Sequence, residues 1–235
     1  MAAKKVSSTR SVGFRAKVDA AHKILVELKL IDRRNYWPDY SHIARQVRHG
    51  PYRDEYAYYE QNGLFDFLLY NGGIMQFKEN PEAHTTASFC FYEQPLAVDD
   101  FGTFVKDRYD IAVADLGDLE PIARGDYEDY VSTANLKKAV TTLRYDHSPG
   151  LYTEGSHPCS HLHVGHGTEI RVGTHRVLNP MSFTLLVLRQ VYTWRWETFI
   201  HESGAGQHMR HVRAALAKVD TEYLKTKDAW EMYLE

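Results

Sequence analysis

Two short segments of this sequence alternate between apolar residues and residues that can do chemistry. Residues 143–146 read Leu-Arg-Tyr-Asp, and residues 161–164 read His-Leu-His-Val. Because successive side chains of a β-strand point to opposite faces, each segment predicts a strand with one apolar and one reactive face. Turn-forming residues between the segments favour an antiparallel return of the second strand. Pairing would place one guanidinium, one carboxylate and two imidazoles on a common surface, from Arg144, Asp146, His161 and His163.

These four side chains meet the requirements of metal-independent phosphodiester cleavage. In that reaction a 2′-hydroxyl loses a proton, the leaving oxygen gains one, and charge builds on the phosphoryl oxygens. His161 and His163 can divide the acid and base roles, because the pKa of an imidazole lies near neutrality. Asp146 can orient one imidazole, and Arg144 can bind a phosphate through two parallel hydrogen bonds. Two nearby residues are further candidates for substrate binding, His157 and Arg171.

A divalent metal site is a second interpretation of the same segments. Two histidines and one carboxylate, which would be Asp146 or Glu169, can hold iron, manganese or zinc with open coordination positions. This interpretation predicts a metal-dependent hydrolase or oxygenase that uses the His161-x-His163 motif. A third, structural interpretation is a buried Arg–Asp–His network that fixes the register of the two strands.

The composition is that of an ordinary globular chain, with 235 residues and a formal net charge of −3. That charge excludes a chain that is basic throughout, so any surface for RNA or another nucleic acid must be local. Cys90 and Cys159 are too few for a disulfide framework, which predicts a cytoplasmic protein with reduced thiols. The N-terminal residues are polar and basic, and the most apolar run is too short for a membrane span, so no membrane partner is expected.

Helical spacing of apolar residues comes first in the chain, and strand alternation follows. Helices are predicted over three segments: residues 15–30, a shorter segment from Asp39, and residues 52–61. Strands are predicted over three later segments: residues 64–70, 73–77 and 87–92. The dipeptide Asn71-Gly72 between the first two strands is typical of a type I′ hairpin turn.

We expect residues 1–14 to be a flexible arm and residues 15–235 to form a single domain. Residues 97–131 interrupt the strand series and are rich in carboxylates, which predicts an acidic, partly helical insertion. After the histidine strand, the sequence predicts a short strand at 169–172 and helices at 181–200 and 207–234. Helices followed by strands favour the α+β class: N-terminal helices, an antiparallel meander sheet that carries the site, and C-terminal helices.

The motifs around the site also carry a family resemblance. They are Leu-Arg-Tyr-Asp at 143–146, His-Pro-Cys-Ser-His-Leu-His-Val-Gly at 157–165, Ile-Arg-Val at 170–172, and Asn179-Pro180. Together they resemble a bacterial family catalogued as domain-of-unknown-function family 2290, which implies no activity. More distantly, Arg-Tyr-Asp followed by His-x-His is similar to TumE-type toxins, small proteins of toxin–antitoxin loci thought to act on RNA. That similarity implies a ribonuclease-like fold in which Arg144, Asp146, His161 and His163 form the site.

The sequence therefore predicts a metal-independent, endoribonuclease-like effector of a toxin–antitoxin or phage-defence system. Its partners would be RNA or another nucleic acid and, in addition, an antitoxin or a protein of a defence complex. One alternative is a non-catalytic subunit of a defence complex that binds protein or nucleic acid, favoured by the acidic insertion and the many tyrosines. The other alternative is the metal-dependent hydrolase.

Overall fold

The computed structural model describes residues 11–36, 38–40, 50–80, 83, 85–168, 170–203 and 205–228. The α-helices in these ranges are α1 (Val12–Glu27), α2 (Tyr52–Gln61), α3 (Phe101–Tyr109), α4 (Glu120–Ser132), α5 (Pro180–Val191), α6 (Thr193–Ser203) and α7 (Ala205–Ala214). The strands are β1 (Ile31–Arg34), β2 (Phe67–Leu69), β3 (Ile74–Glu79), β4 (Ala87–Tyr92), β5 (Thr142–His147), β6 (Ser160–Val164) and β7 (Arg171–Gly173).

The seven strands form one antiparallel sheet in which they lie in the order of the chain, β1 to β7. This meander, with helices before and after it, confirms the predicted α+β class. None of the helices in the described part of the chain is long and apolar enough to cross a membrane. The described residues fall into two compact units. One contains α1, most of β3 and β4, β5 to β7, and α5 to α7, and the other contains β1, β2 and α2 to α4.

Aromatic side chains form the centre of the first unit. Phe89 on β4 lies 5.6 Å from Phe77, 5.4 Å from Tyr145 and 5.9 Å from Phe183 between ring centroids, and all four are buried. The Tyr145 hydroxyl accepts a hydrogen bond from the amide of Leu178 at 2.9 Å and shares one with the Ser160 hydroxyl at 2.8 Å. Burial of one face of β5 and β6 in this way leaves the opposite face of these strands for the polar residues.

Helix α5 begins as the sequence predicts. Asn179 accepts a hydrogen bond from the amide of Ser182, and the Ser182 hydroxyl bonds back to the amide of Asn179, which forms a complete capping box. The prediction of one continuous helix over 181–200 is wrong, because Tyr192 leaves the helical conformation. Its ring is buried against Phe91 at 6.1 Å, and this packing accompanies the break between α5 and α6.

The predicted final helix at 207–234 is also only partly correct. Helix α7 ends at Ala214, and residues 217–219 then run alongside residues 175–177 in an extended conformation. The amides of Val177 and Val219 donate to the carbonyls of Ala217 and His175, respectively. These backbone bonds replace the helical ones, so the helical spacing of the apolar residues did not decide the conformation. Residues 229–235 lie outside the described residues.

In the second unit, helix α2 spans the predicted residues and packs tyrosines onto a hairpin. Tyr56 and Tyr59 are buried with Leu64, Leu68 and Ile74. The hairpin forms at the predicted place, but the type I′ turn is wrong. A type I′ turn needs a positive φ at two successive residues, whereas the only described non-glycine residues with a positive φ are Lys29 and Asp110.

The turn of this hairpin has three residues instead of two. The amide of Gly72 donates to the carbonyl of Leu69, and the amide of Leu69 donates to the carbonyl of Gly73. Gly72 has φ +77°, so a type I turn is followed by a left-handed glycine, as in a hairpin with a bulge. The sequence dipeptide predicted the position of the turn but not its length.

The acidic segment 97–131 contains two helices, α3 and α4, which agrees with the partly helical prediction. Val105, Leu116 and Ala123 are buried and form a small core of their own. At the other end of the chain, α1 begins at Val12, earlier than predicted, because Ser11 accepts a hydrogen bond from the amide of Phe14 and caps the helix. Residues 1–10 of the expected arm, and most of the helix expected after Asp39, lie outside the described residues.

Candidate metal centre

Strands β5 and β6 bring the four predicted site residues onto one face of the sheet. Their antiparallel register places Arg144 opposite His163 and Asp146 opposite His161. Residues that are directly opposite in an antiparallel pair project to the same side, so the convergence predicted from the two alternating segments is present in the structure. Tyr145, between Arg144 and Asp146, projects to the other side into the aromatic core.

Strand β7 extends this arrangement by one position. Arg171 lies opposite His163, and Gly173 lies opposite His161. His163 is therefore flanked by Arg144 on one neighbouring strand and by Arg171 on the other. Because neighbouring strands are about 4.8 Å apart, the Cα atoms of the two arginines are separated by about 10 Å. That separation allows two long guanidinium side chains to reach a single anion above the sheet.

The two imidazoles face each other through their Nε2 atoms, which are 3.0 Å apart. The Nδ1–H of His161 donates to the carbonyl oxygen of Pro158 at 2.7 Å. In a neutral ring this bond fixes the tautomer and leaves the Nε2 lone pair of His161 directed towards His163. The ring of His163 is held differently, because its Nδ1 is buried and has no partner among the described residues.

Asp146 supplies a carboxylate beside this pair. Its Oδ2 accepts a hydrogen bond from Arg144 Nε at 2.9 Å and lies 3.5 Å from His163 Nε2. Burial acts to raise the pKa of Asp146, but a hydrogen bond from His163, the charge of Arg144 and a hydrogen bond from Ser88 outweigh it and lower this pKa to about 2. The carboxyl group is therefore ionised at neutral pH and is available as a ligand or an acceptor.

His161 is neutral at the same pH. Burial, together with the nearby His163, lowers the pKa of His161 to about 4, although the Pro158 carbonyl acts in the opposite direction. The ring of His157 stands edge-on to that of His161, at 4.8 Å between centroids. Burial and the charge of Arg171 lower the pKa of His157 below its ordinary value. The structure thus groups three imidazoles, of which His157 is the half-buried one.

The geometry fits a divalent transition metal. Asp146, His161 and His163 each offer one ligand atom, and these three atoms lie within 4.8 Å of one another. At the usual bond lengths, two ligand atoms of a tetrahedral ion are about 3.3 Å apart. This is close to the 3.0 Å between the two Nε2 atoms and to the 3.5 Å between His163 Nε2 and Asp146 Oδ2. The Nδ1–H bond of His161 to a backbone carbonyl is the support that metal-bound histidines commonly have. Glu169, the other predicted carboxylate ligand, lies outside the described residues.

Access to the site comes from the side of the arginine and the aspartate. The exposed fractions of His161 and His163 are 1% and 6%, whereas the Arg144 side chain is 49% exposed. The Asp146 side chain, at 14%, lies at the boundary. A ligand that approaches from solvent therefore meets the guanidinium first and the imidazoles last.

Sequence reasoning missed two groups that support the site. Ser88 on β4 donates to Asp146, and the Pro158 carbonyl fixes the ring of His161. Ser88 alternates with Phe89 and Phe91 in the predicted strand, so the sequence predicts that Ser88 lies on the face opposite to these rings. Nothing in the sequence shows that β4 lies beside β5. A backbone carbonyl carries no sequence signal at all.

The fold and the site define a class of protein: an α+β protein with two histidines and one aspartate on the polar face of an antiparallel meander. The chain belongs to the family described as "Uncharacterized conserved protein (DUF2290)", whose model matches residues 26–226. This confirms the family resemblance of the sequence motifs. No curated protein matches the chain, and no solved structure matches it either. The similarity to TumE-type toxins stays a prediction.

Proposed function

We propose that the protein is a metal-dependent phosphodiesterase that cleaves RNA. The observation that carries this proposal is the convergence of Asp146, His161 and His163 ligand atoms beside Arg144, with Arg171 on the neighbouring strand. Nitrogen and carboxylate ligands suit zinc, manganese or iron, and only three protein ligands leave positions open for a substrate. A divalent ion bound there would supply Lewis-acid polarisation of a phosphoryl oxygen.

The arginines favour a phosphate-containing substrate over an oxygenase reaction. Guanidinium groups bind phosphate oxygens in a planar, bidentate manner, and two of them flank His163. Arg144 also holds Asp146 in place through its Nε, at 2.9 Å from the Asp146 Oδ2 atom. His157, with its lowered pKa, is neutral at pH 7 and can accept a proton next to the bound phosphate.

The metal-independent scheme predicted from the sequence remains the second candidate. It is supported by the hydrogen-bonded imidazole pair, which can share a proton. Acid–base cleavage of a phosphodiester, however, places the two groups on opposite sides of the phosphorus, near the attacking and the leaving oxygen. Two Nε2 atoms at 3.0 Å leave no room for a phosphate between them, so the geometry favours the metal-dependent scheme.

A cleavage assay separates the two schemes. Purified protein is incubated with a labelled single-stranded RNA, before and after treatment with a chelator, and zinc, manganese or iron is then added back. We expect the chelator to abolish cleavage and one of the metals to restore it. His161→Ala and His163→Ala should each lower the rate by at least about 100-fold, whereas the exposed His201→Ala should not. Full activity in the chelator, with loss in both histidine variants, would support the metal-independent scheme instead.

We also propose that the cleavage serves as the toxic activity of a toxin–antitoxin or phage-defence system, a proposal that rests on the predicted similarity to TumE-type toxins. Induced expression of the wild-type chain in a bacterial host should then arrest growth, and expression of the His163→Ala variant should not. Equal growth arrest by both chains would favour the alternative of a non-catalytic subunit. Co-purification of a stoichiometric protein with the His163→Ala chain would identify an antitoxin or another partner.

A further inference from the structure

A second group of basic side chains, three of them arginine or lysine, lines a cleft near the end of β7. The cleft has a volume of ≈ 410 Å³, and its lining includes His175, Arg176, Arg213 and Lys218. Val219, which is buried, contributes apolar surface to the same cleft. The backbone holds this arrangement together, because residues 175–177 and 217–219 are joined by hydrogen bonds from Val177 to Ala217 and from Val219 to His175.

Three side chains of this cleft, those of Arg176, Arg213 and Lys218, carry positive charges that no acidic side chain among the described residues pairs with. Within the described part of the chain, the side chains of Arg213 and Lys218 form neither a hydrogen bond nor an ion pair, and both residues are exposed. Arg176 uses one guanidinium nitrogen to donate to the carbonyl of Leu216 at 3.2 Å and forms no ion pair with any residue that the structure describes. The two nearest acidic residues in the sequence, Asp220 and Glu222, do not line the cleft.

The cleft begins just past the end of β7, the strand beside the metal centre. Gly173 lies opposite His161 at the metal centre, and His175, two residues further, lines the cleft. Two residues of chain span at most about 7 Å, so the backbone of His175 lies within about 7 Å of that of Gly173. A chain of phosphates that reaches the metal centre therefore needs to extend by only a short distance to meet the cationic side chains.

We infer that this cleft, lined by His175, Arg176, Arg213 and Lys218, binds a backbone phosphate of the polynucleotide next to the scissile one. The inference rests on the proposed function, since it assigns the second contact of the same RNA strand. A protein with a formal charge of −3 needs such a local cationic surface to hold a nucleic acid. The cleft thereby gives the enzyme a preference for oligonucleotides over small phosphodiesters.

The test measures binding of a labelled single-stranded RNA by fluorescence anisotropy, in chelator and over a range of salt concentrations. For single strands the logarithm of the binding constant changes with the logarithm of the salt concentration by about −0.7 per phosphate contact. We expect the Arg213→Gln/Lys218→Gln variant to bind about tenfold more weakly and with a shallower salt slope. The control is Lys23→Gln, an exposed lysine on α1 outside the cleft, which should bind as the wild type does.

A second readout separates this inference from the proposed function. The double variant should hydrolyse the small phosphodiester bis(p-nitrophenyl) phosphate at the wild-type rate and cleave RNA more slowly. The inference would be overturned if the double variant bound RNA with the affinity and the salt slope of the wild type. It would also be overturned if the wild type did not bind RNA, or if it bound inorganic phosphate as tightly as the oligonucleotide. Failure of the wild-type chain to hydrolyse either substrate would overturn the proposed function, while the salt slopes would still test the cleft.

Discussion

Replacement of Asp146 by asparagine removes the carboxylate that accepts hydrogen bonds from Arg144, His163 and Ser88. The lowered pKa of Asp146 makes the carboxylate a source of stability even without metal. Its folded pKa of about 2 lies below the ordinary value of 3.8, and each unit of such a difference corresponds to about 1.4 kcal/mol. The full difference would give about 2.4 kcal/mol, and because solvent screens the half-exposed Arg144, we expect Asp146→Asn to lower the free energy of unfolding by about 2 kcal/mol at pH 7.

The pH dependence follows from the direction of the shift. A carboxyl group whose pKa is lower in the folded state stabilises that state above the unfolded pKa, and the contribution is lost as the pH falls towards the folded pKa. The difference between wild type and Asp146→Asn should therefore be complete at pH 7 and should fall to about half at pH 3. Urea-induced unfolding of the metal-free protein, followed by circular dichroism, measures both values.

The matched control for this experiment is Glu27→Gln on α1, which removes one charge from an exposed carboxylate in the same unit. We expect it to change the free energy of unfolding by less than about 0.5 kcal/mol. If Asp146→Asn were as stable as the wild type at pH 7, the carboxylate would not make the interactions described for it. A difference that stayed unchanged at pH 3 would show that the effect does not come from the charge.

Three further predictions concern the core, the hairpin and the response to acid. Tyr145→Phe should lower the free energy of unfolding by about 1–3 kcal/mol, because it leaves the buried Ser160 hydroxyl and the Leu178 amide without their shared partner; a change below about 0.5 kcal/mol in urea-induced unfolding would refute this. Gly72→Ala should destabilise the protein by more than about 1 kcal/mol, because the φ of Gly72 is +77° and an added Cβ would lie 2.9 Å from the Gln94 side chain. Gly125→Ala should instead raise the melting temperature, because an added Cβ there has no atom within 4 Å among the described residues. Melting temperatures that shift in the same direction in both variants would contradict this prediction. In the metal-free protein, the free energy of unfolding should decrease as the pH falls from about 6.5 towards 4. The reason is that His161 takes up a proton in the unfolded chain, whereas the buried ring, with its pKa of about 4, does not. The free energy of unfolding of His161→Gln should decrease less over this pH range, and an identical decrease in both proteins would argue against this reasoning.

Local sequence patterns were sufficient to predict that the four side chains converge, because alternation fixes which side chains of a strand share a face. The pattern placed Arg144 with Asp146 and His161 with His163, and an antiparallel pairing in the observed register brings the two pairs together. The pattern did not predict that both imidazoles are buried or that their Nε2 atoms are in contact. Those depend on the loop that carries Pro158 and on neighbouring strands, which are set by long-range packing.

The errors in the fold have the same origin. Periodicity of apolar residues predicted continuous helices through Tyr192 and beyond Ala214, but a buried ring and backbone pairing with residues 175–177 changed the conformation there. The cleft lined by Arg176, Arg213 and Lys218 was not predicted from the sequence, for a related reason. Arg213 and Lys218 are far from His175 in the sequence, and only the return of the chain after α7 places them together.

The metal content of the purified protein is the most direct test of a metal centre formed by Asp146, His161 and His163. Wild-type protein, His163→Ala and His201→Ala are loaded with zinc, manganese or iron, dialysed, and analysed by plasma mass spectrometry. We expect about one equivalent of one of these metals in the wild type and in His201→Ala, and a large loss of it in His163→Ala. Equal metal content in His163→Ala and the wild type, or none in the wild type with any of the three metals, would contradict a metal centre formed by Asp146, His161 and His163.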